Sequence, residues 1–312
     1  MNIGYMKKKM FVIVNPASSH GKTEKRWPFI KEQMEAGGLK FVYALTKGPG
    51  DATRLCGDAL QNGYHNIITV GGDGTLNEVV NGFLVVDSKI SQAAAMGIIS
   101  TGTGGDFART VQLPRNIPEI VQRLVRGQLR CLDIGLISFQ GPGGKVVTRY
   151  FCNIADVGLG GFMVQRARNH TKALGGTIFF LFNTLISLFL YQNQPLSVVI
   201  DDDFKWQGKA VTVVAGNGQY FGGGMHITPL ASMDDGLLDF LLITDMHKLK
   251  LLVNLYRVYR GNHLQVRGVK YLRGKKICID APSPVLLELD GEQLGKTPVK
   301  IEIIPKMLNY IV

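Results

Sequence analysis

Three short segments, each following a run of apolar residues, are built from the residue types that handle phosphate. They read Asn15-Pro16-Ala17-Ser18-Ser19-His20-Gly21-Lys22, Gly71-Gly72-Asp73-Gly74-Thr75 and Thr101-Gly102-Thr103-Gly104-Gly105-Asp106-Phe107. Residues without a Cβ let backbone N–H groups approach phosphate oxygens closely, and a helix beginning near Leu76 would add the positive end of its dipole. A carboxylate inside such a loop repels anions unless a cation lies between them. Asp73 therefore points to Mg²⁺ carried by a nucleotide. For any one loop the plain alternative is a glycine turn with no ligand, but three in register, two of them with an acid, argue against it. Neither a Walker A sequence nor the protein-kinase signature set occurs, which disfavours those phosphate-transfer families.

A fourth segment, Leu289-Asp290-Gly291-Glu292, supplies what phosphoryl transfer to an alcohol also needs, a carboxylate that orients the hydroxyl and accepts its proton. Asp290 and Glu292 would share a face of a continuous strand, but the glycine between them makes a turn. The pair is kept as the catalytic candidates without dividing the roles.

These segments need elements to hold them. Over the first third, apolar runs at Met10 to Val14, Phe41 to Leu45, Ile67 to Val70 and Met96 to Ile99 alternate with helix-like stretches at Thr23 to Ala36, Asp51 to Asn62 and Leu76 to Phe83. Such alternation predicts an α/β domain with a parallel sheet, and in open sheets of this kind ligands bind beyond the carboxyl ends of the strands. Asp51 reads as an N-cap, and Gly37, Gly38 and Gly63 as C-terminal breakers. After about Leu129 the rhythm changes to β-rich segments, including Val146 to Ala155, Leu196 to Asp201, Ala210 to Ala215, Leu237 to Ile243, Lys276 to Asp280, Val285 to Leu289 and Val299 to Ile304. They predict a mainly antiparallel second domain, interrupted by helical stretches at Phe162 to Tyr191 and His247 to Tyr259. The expected division is residues 1–130 and 131–312, with the last residues returning to the first domain.

Composition bounds the function. The 312 residues are 46% hydrophobic and 19% charged, enough for two cores, with a net charge of +11. Between Asp245 and Asp280 stand nine Lys or Arg and no acid, a block suited to anionic headgroups or phosphates, or simply to solvent. No nucleic-acid-binding motif accompanies that charge, so no nucleic acid is expected. Cys56, Cys131, Cys152 and Cys278 form no Cys-x-x-Cys pair, and the six histidines form no cluster, which points to neither a zinc site nor a disulfide framework; reduced thiols in a cytoplasmic protein are the plain reading. Ala173 to Ile200 carries no charge. Its glycines and polar residues favour a buried helix, or one lining an acyl-chain groove, over a membrane span.

The motifs GGDGTLNEVVNGF (Gly71 to Phe83), GTGGDFAR (Gly102 to Arg109), YFGGGMHITPLASMDDGLLDF (Tyr220 to Phe240) and LDGE (Leu289 to Glu292) together resemble the bacterial diacylglycerol kinase family, related to the sphingosine and ceramide kinases. They lie in the family's order and span nearly the whole chain. The resemblance implies a nucleotide-binding domain of the diacylglycerol-kinase and NAD-kinase type, a β-sandwich-like second domain, and ATP with Mg²⁺ as cofactors. Carried over by position, Asn15, Pro16, Ala17, Ser18, Ser19, Thr46, Gly71, Gly72, Asp73, Gly74, Thr75, Leu76, Asn77 and Thr103 would contact ATP. Asp73 and Asp106 would organise the catalytic Mg²⁺, with Lys22, Lys25 and Arg109 near the phosphates. A structural Mg²⁺ would be held by the Asp235 carboxylate and the carbonyls of Ser232 and Leu237. Gly105 stands where the family usually has Asn, Leu230 where it usually has an acid, and Ser19 where glycine is common.

The expected function is ATP-dependent phosphorylation of the hydroxyl of diacylglycerol or a similar lipid. The alternatives are a kinase of a soluble substrate such as NAD, and a non-catalytic lipid- or nucleotide-binding regulator. A lipid substrate and peripheral contact with the anionic inner face of the membrane are the expected partners. Oligomeric state leaves no mark in the sequence, and a homodimer stays open.

Overall fold

The computed structural model describes residues 9–102, 104–170 and 177–312. By packing, the chain divides into two units. One takes the chain up to Ile134 and takes it up again at Pro305–Val312, and the other is Gly135–Ile304.

The first unit runs β1 (Met10–Val14), α1 (Lys22–Ala36), β2 (Phe41–Leu45), α2 (Asp51–Gln61), β3 (Asn66–Gly71), α3 (Asp73–Gly82), α4 (Ser88–Ala93), β4 (Ala95–Ser100), α5 (Asp106–Thr110) and α6 (Ile117–Arg126). The strands are parallel in the order β2-β1-β3-β4. Val14 pairs with Val70, and Val70 with Ile99, so the carboxyl ends of β1, β3 and β4 stand side by side. Every residue of β3 is buried, as a parallel strand covered on both faces requires. Helix α1 turns Thr23, Trp27, Ile30 and Met34 inward, positions that recur at helical spacing. Burying Ile30 and Met34 completely stabilises by about 1.5–3 kcal/mol each.

Two helix starts differ from the sequence reading. Helix α2 has Gly50, not Asp51, at its N-cap. Asp51 is instead turned to the Lys47 N–H (2.8 Å) and to Arg54, while the N–H groups of Gly50 and Ala52 go to the Glu78 carboxylate at 2.8 and 3.0 Å. A long-range acid from α3 has taken the capping task. Helix α3 begins at Asp73 rather than Leu76, which places Asp73 in the helix's first turn. Gly37, Gly38 and Gly63 do follow helix ends, the last two with φ near 79°.

The second unit contains β6 (Val146–Phe151), β7 (Ile154–Gly158), α7 (Leu159–His170), α8 (Thr177–Leu190), β8 (Gln194–Ile200), β9 (Phe204–Gly216), the short pair β10 (Tyr220–Phe221) and β11 (Met225–His226), β12 (Leu238–Thr244), α9 (Lys248–Tyr259), β13 (Val269–Gly274), β14 (Lys276–Asp280) and β15 (Leu286–Leu289). Strand β5 (Leu129–Gln140) leads into it, and β16 (Glu292–Ile311) leads out, back to the first unit. One run of strands is β13-β12-β9-β7-β15-β16; a second joins β9, β8, β14, β16, β5 and β6. Strand β9 serves both, pairing with β8 over Phe204–Ala210 and with β7 and β12 over Ala210–Gly216. The side chains between them, among them Phe151, Val213, Phe240, Ile277 and Leu287, form one apolar core, the β-sandwich expected for this half.

Three segments read as continuous differ. Val146 to Ala155 is broken at Cys152–Asn153, because the N–H groups there bond to the Asp290 carboxylate instead of a neighbouring strand. Phe162 to Tyr191 is two helices, with residues 171–176 between them outside the described residues. Val299 to Ile304 is the middle of the 20-residue β16, whose end pairs parallel with β4 (Asn309 with Ala95) as the fifth strand of the first unit's sheet. Among the described residues no helix is long and apolar enough to cross a membrane.

Candidate functional site

In the first unit the three phosphate-type loops meet. A Cβ on Gly102 would come within 2.6 Å of the Gly72 Cα, and one on Gly72 would lie 3.3 Å from Gly102 and 3.4 Å from the Ser18 hydroxyl. The loops after β3 and β4 thus touch backbone to backbone, which only glycine permits, and the loop after β1 joins them through the Ser18 hydroxyl. Side chains fix the contact. Asn15 Nδ2 donates to Thr75 Oγ1 at 2.8 Å, and the buried hydroxyls of Thr23 and Thr101 share a hydrogen bond of 2.7 Å. The Ala17 N–H donates to Asn15 Oδ1, and the Thr46 N–H to the Val14 carbonyl, which sets Thr46 beside the first loop. Pro16, Ser18 and Ser19 form the rest of that loop, in which Ser19, His20 and Gly21 all have positive φ (55°, 57° and 80°). Left-handed backbone costs a serine what it does not cost a glycine, which gives a physical reason for the family's preference at position 19.

Of the remaining nucleotide candidates, Gly71, Gly72 and Gly74 offer backbone only. Leu76 and Asn77 are buried, Leu76 in the core. Thr103 lies outside the described residues. The N-terminus of α3 carries no side-chain cap, which leaves the dipole end of a ten-residue helix facing the loops.

Asp73 spends its carboxylate on another helix. Its Oδ2 accepts the Asp106 N–H at 3.1 Å and its Oδ1 the Phe107 N–H at 3.3 Å, so it caps α5 from outside. The N-cap residue proper, Gly105 (φ 62°), makes no side-chain cap. An asparagine tolerates that left-handed backbone too, and the nearest atoms to a Cβ there are 3.7 Å away or more. Replacement of the family's Asn is therefore compatible with the local geometry, with Asp73 supplying the cap. Asp106 is buried, and Arg109 reaches its Oδ1 at 3.1 Å and also donates to the Gly104 carbonyl. A Cβ on Gly104 would stand 3.1 Å from Asp73 Oδ2 and 3.7 Å from Asp106 Oδ2. Two carboxylates thus converge where a side chain is missing. Their oxygens are the hard donors Mg²⁺ prefers, and the residues present fit that ion.

In the second unit Asp290 and Gly291 are the two-residue turn of the β15–β16 hairpin, with Leu289 opposite Glu292 and φ of 45° and 93°. Asp-Gly suits such a primed turn. The structure separates the pair that the sequence left joined. Asp290 accepts the N–H groups of Cys152, Asn153 and Ile154 at 2.9–3.0 Å, pinning the entry of β7. Glu292 is exposed at the start of β16.

The Ser232, Asp235 and Leu237 turn is closed by its own side chains and by an arginine. Asp235 Oδ1 accepts the Leu237 N–H at 3.0 Å, its Oδ2 is gripped by the Arg273 guanidinium, and the Ser232 hydroxyl is turned to Asp234. Arg273 also lies 3.4 Å from Asp239, whose burial raises its pKa. With the Arg273 guanidinium already on that carboxylate, an ion bound there would have to displace it.

The second unit holds a cavity of about 100 Å³, walled by α7, α8, α9 and the sheet residues beneath them, so that α8 does line an apolar cavity while the parts of α7 and α9 in it had no sequence signal. Its lining is apolar, with Met163, Leu188, Phe221, Leu255 and Val258 among it, and Asp156 and Thr212 at one side. Burial pushes the Asp156 carboxyl up to about 7, against the Thr212 hydroxyl and the Gly160 N–H, which favour the charged form. The apolar helix pattern was legible, but the void behind it depends on packing.

The comparisons with known proteins cover both units. Residues 9–137 match the diacylglycerol kinase catalytic domain, and residues 156–312 match the YegS C-terminal NAD kinase beta sandwich-like domain. A diacylglycerol kinase of Staphylococcus saprophyticus is 28% identical over 293 residues, covering 94% of this chain and 92% of that protein. The lipid kinase YegS of Escherichia coli (strain K12) is 28% identical over 272 residues, covering 87% and 86%. A Bacillus anthracis str. Sterne chain, solved as a candidate diacylglycerol kinase, superposes with a TM-score of 0.76 at 26% identity, covering 97% and 96% of the two chains. The meeting of the GGDG and GTGG loops, the Asp-Gly turn of LDGE and these matches along both units together place the chain in the bacterial diacylglycerol kinase family of lipid kinases.

Proposed function

We propose that the protein transfers the γ-phosphate of ATP to the hydroxyl of diacylglycerol or a similar lipid. One observation carries the reading: the convergence of Asp73 and Asp106 beside Gly104, at loops whose backbones touch and above an uncapped helix end. The loop N–H groups would hold phosphate oxygens and Arg109 would lie near them. Asp73 and Asp106 would hold Mg²⁺, which when bound neutralises the charge on the transferring phosphoryl group. Glu292 is proposed as the acceptor of the lipid hydroxyl's proton, because its carboxylate is exposed while that of Asp290 is committed to three N–H groups. Asp290 is then a positioning residue that sets the turn from which Glu292 projects.

The apolar cavity supports a lipid acceptor over a soluble one. With a volume of about 100 Å³ it suits a short stretch of hydrocarbon rather than a polar nucleotide. The test offers radiolabelled ATP with diacylglycerol, phosphatidylglycerol, a sphingoid base and NAD in parallel. Label in a lipid, lost in Asp73→Ala, is expected; label in NAD alone would overturn the lipid acceptor, and label in none would overturn the kinase reading.

A further inference from the structure

Helix α9 is apolar on more than one side. Leu251, Leu255 and Val258 line the cavity of the second unit, while Leu249, Val253 and Tyr256 point away and are 60%, 68% and 51% exposed. The exposed three recur at spacings of four and three, which puts them on one face. No residue of this helix is buried, although eight of its twelve residues are Leu, Val or Tyr. A helix with that pattern normally lies inside a protein. Helix α8 packs against it and ends in two more exposed side chains, Phe189 (48%) and Leu190 (55%), with Lys248 Nζ donating to the Phe189 carbonyl. Apolar patches of this kind mark interaction surfaces.

Charge identifies the occupant. Arg257 and Arg260 stand 5.7 and 5.9 Å from the centre of the Tyr256 ring, on the exposed face itself. From Met246 to Ile279 the chain has nine Lys or Arg and no acid, and Asp245, just before the helix, is tied to the Asn193 side chain. A protein partner covering an apolar face needs no such excess of one sign. Arg257, Arg260 and Lys248 are the cations placed beside the exposed side chains, while Arg273 of the nine is paired with Asp235 and Asp239. Aromatic and aliphatic side chains flanked by arginine and lysine are what a helix lying in the headgroup region of an anionic bilayer presents.

We infer that the outer face of α9, with Phe189 and Leu190, is the surface by which this protein docks onto an anionic lipid bilayer. One helix would then meet the membrane on one side and the apolar cavity on the other, so that a lipid substrate is taken up next to where the protein is anchored. That last step rests on the proposed lipid acceptor, whereas the docking does not.

The experiment is sedimentation of the full chain with vesicles of phosphatidylcholine alone and of phosphatidylcholine with 30% phosphatidylglycerol, for wild type and for Leu249→Gln/Val253→Gln/Tyr256→Ser. Wild type is expected to bind the anionic vesicles at least tenfold more tightly than the neutral ones, with binding falling as salt rises. The triple variant should lose at least tenfold on anionic vesicles, yet keep wild-type turnover of a short-chain diacylglycerol presented in detergent. Equal binding by wild type and variant, or no preference for anionic vesicles, overturns the docking. So does a wild-type dimer, seen by analytical ultracentrifugation, that the variant turns into monomer, since a second copy then owns the face. Should the triple variant not fold, Val253→Cys carrying a polarity-sensitive fluorophore gives the same decision: its emission shifts to the blue on anionic vesicles, or the inference fails. Loss of turnover by the wild type with retained vesicle binding would count against the kinase reading and leave the docking standing.

Discussion

The two units treat their acids alike. In the first, Asp73 caps α5 with both carboxylate oxygens, while Asp106 lies beside it next to the gap at Gly104. In the second, Asp290 holds three N–H groups at the start of β7, and Glu292, two residues on, faces outward. Each unit has thus one acid that fixes the backbone. The difference is in reach: Asp73 links loops 33 and 34 residues apart within a helical layer, whereas Asp290 ties a hairpin to a strand that lies more than 130 residues earlier. A motif acid is therefore not by its presence a chemical acid, and partners decide which it is.

The sharpest way to break this comparison is Glu292→Gln. It should lower kcat by about 10²–10⁴-fold, the usual contribution of a general base, with the thermal midpoint unchanged. A parallel fall in stability would make Glu292 an anchor as well. Next in size, Asp290→Ala leaves three backbone donors without an acceptor, at about 1–3 kcal/mol each, and places alanine in a left-handed turn. Chemical denaturation should show a loss of about 3 kcal/mol or more, and a smaller loss would mean that other groups hold the turn.

A third acid extends the comparison to one that is buried beside a cavity. Asp156 keeps its proton up to about pH 7 in the folded unit, whereas the ordinary value is 3.8. Between those values the unfolded chain has released a proton that the native state retains, so stability falls as pH rises from about 4 to about 7 and is level above. The full window is worth on the order of 4 kcal/mol at 1.36 kcal/mol per unit. Denaturation at pH 5 and pH 8 reads roughly 3 kcal/mol of it, and Asp156→Asn should flatten the slope. The smallest effect belongs to the first loop, where Ser19→Gly relieves a left-handed serine and should raise stability by about 0.5 kcal/mol, read from the shift in the denaturation midpoint.

Much of this molecule was legible before any coordinates. Met10–Val14 and Phe41–Leu45 match their predicted strands residue for residue, because a short apolar run ended by a glycine or proline loop has little else to become. The three loops could be picked out since phosphate chemistry needs glycine and a carboxylate in few residues. What the sequence concealed depends on partners distant in the chain. Asp51 looked like a cap, but Glu78 takes the N–H groups of Gly50 and Ala52 at the helix start while Asp51 turns to Lys47 and Arg54. Val146 to Ala155 looked like one strand, but Asp290 draws away the hydrogen bonds at its middle. Arg273, 38 residues from Asp235, gives no local sign of the ion pair that meets that carboxylate. Local propensity sees none of these, since each is set by what folds up against it.

Strand β16 has a consequence for how the protein is made. Tyr310 is buried against Phe107, Asn309 bonds to the carbonyls of Gln92 and Ala94, and the Val312 N–H reaches the Gln128 carbonyl. On the ribosome these partners wait for Pro305–Val312 until the whole of Gly135–Ile304 has been synthesised, so the half of the molecule begun first is the half finished last. Until then the β4 edge is an open strand exposed to chaperones and to other nascent chains, and a tag or deletion placed within those eight residues would act on nucleotide-loop architecture rather than on a spare tail.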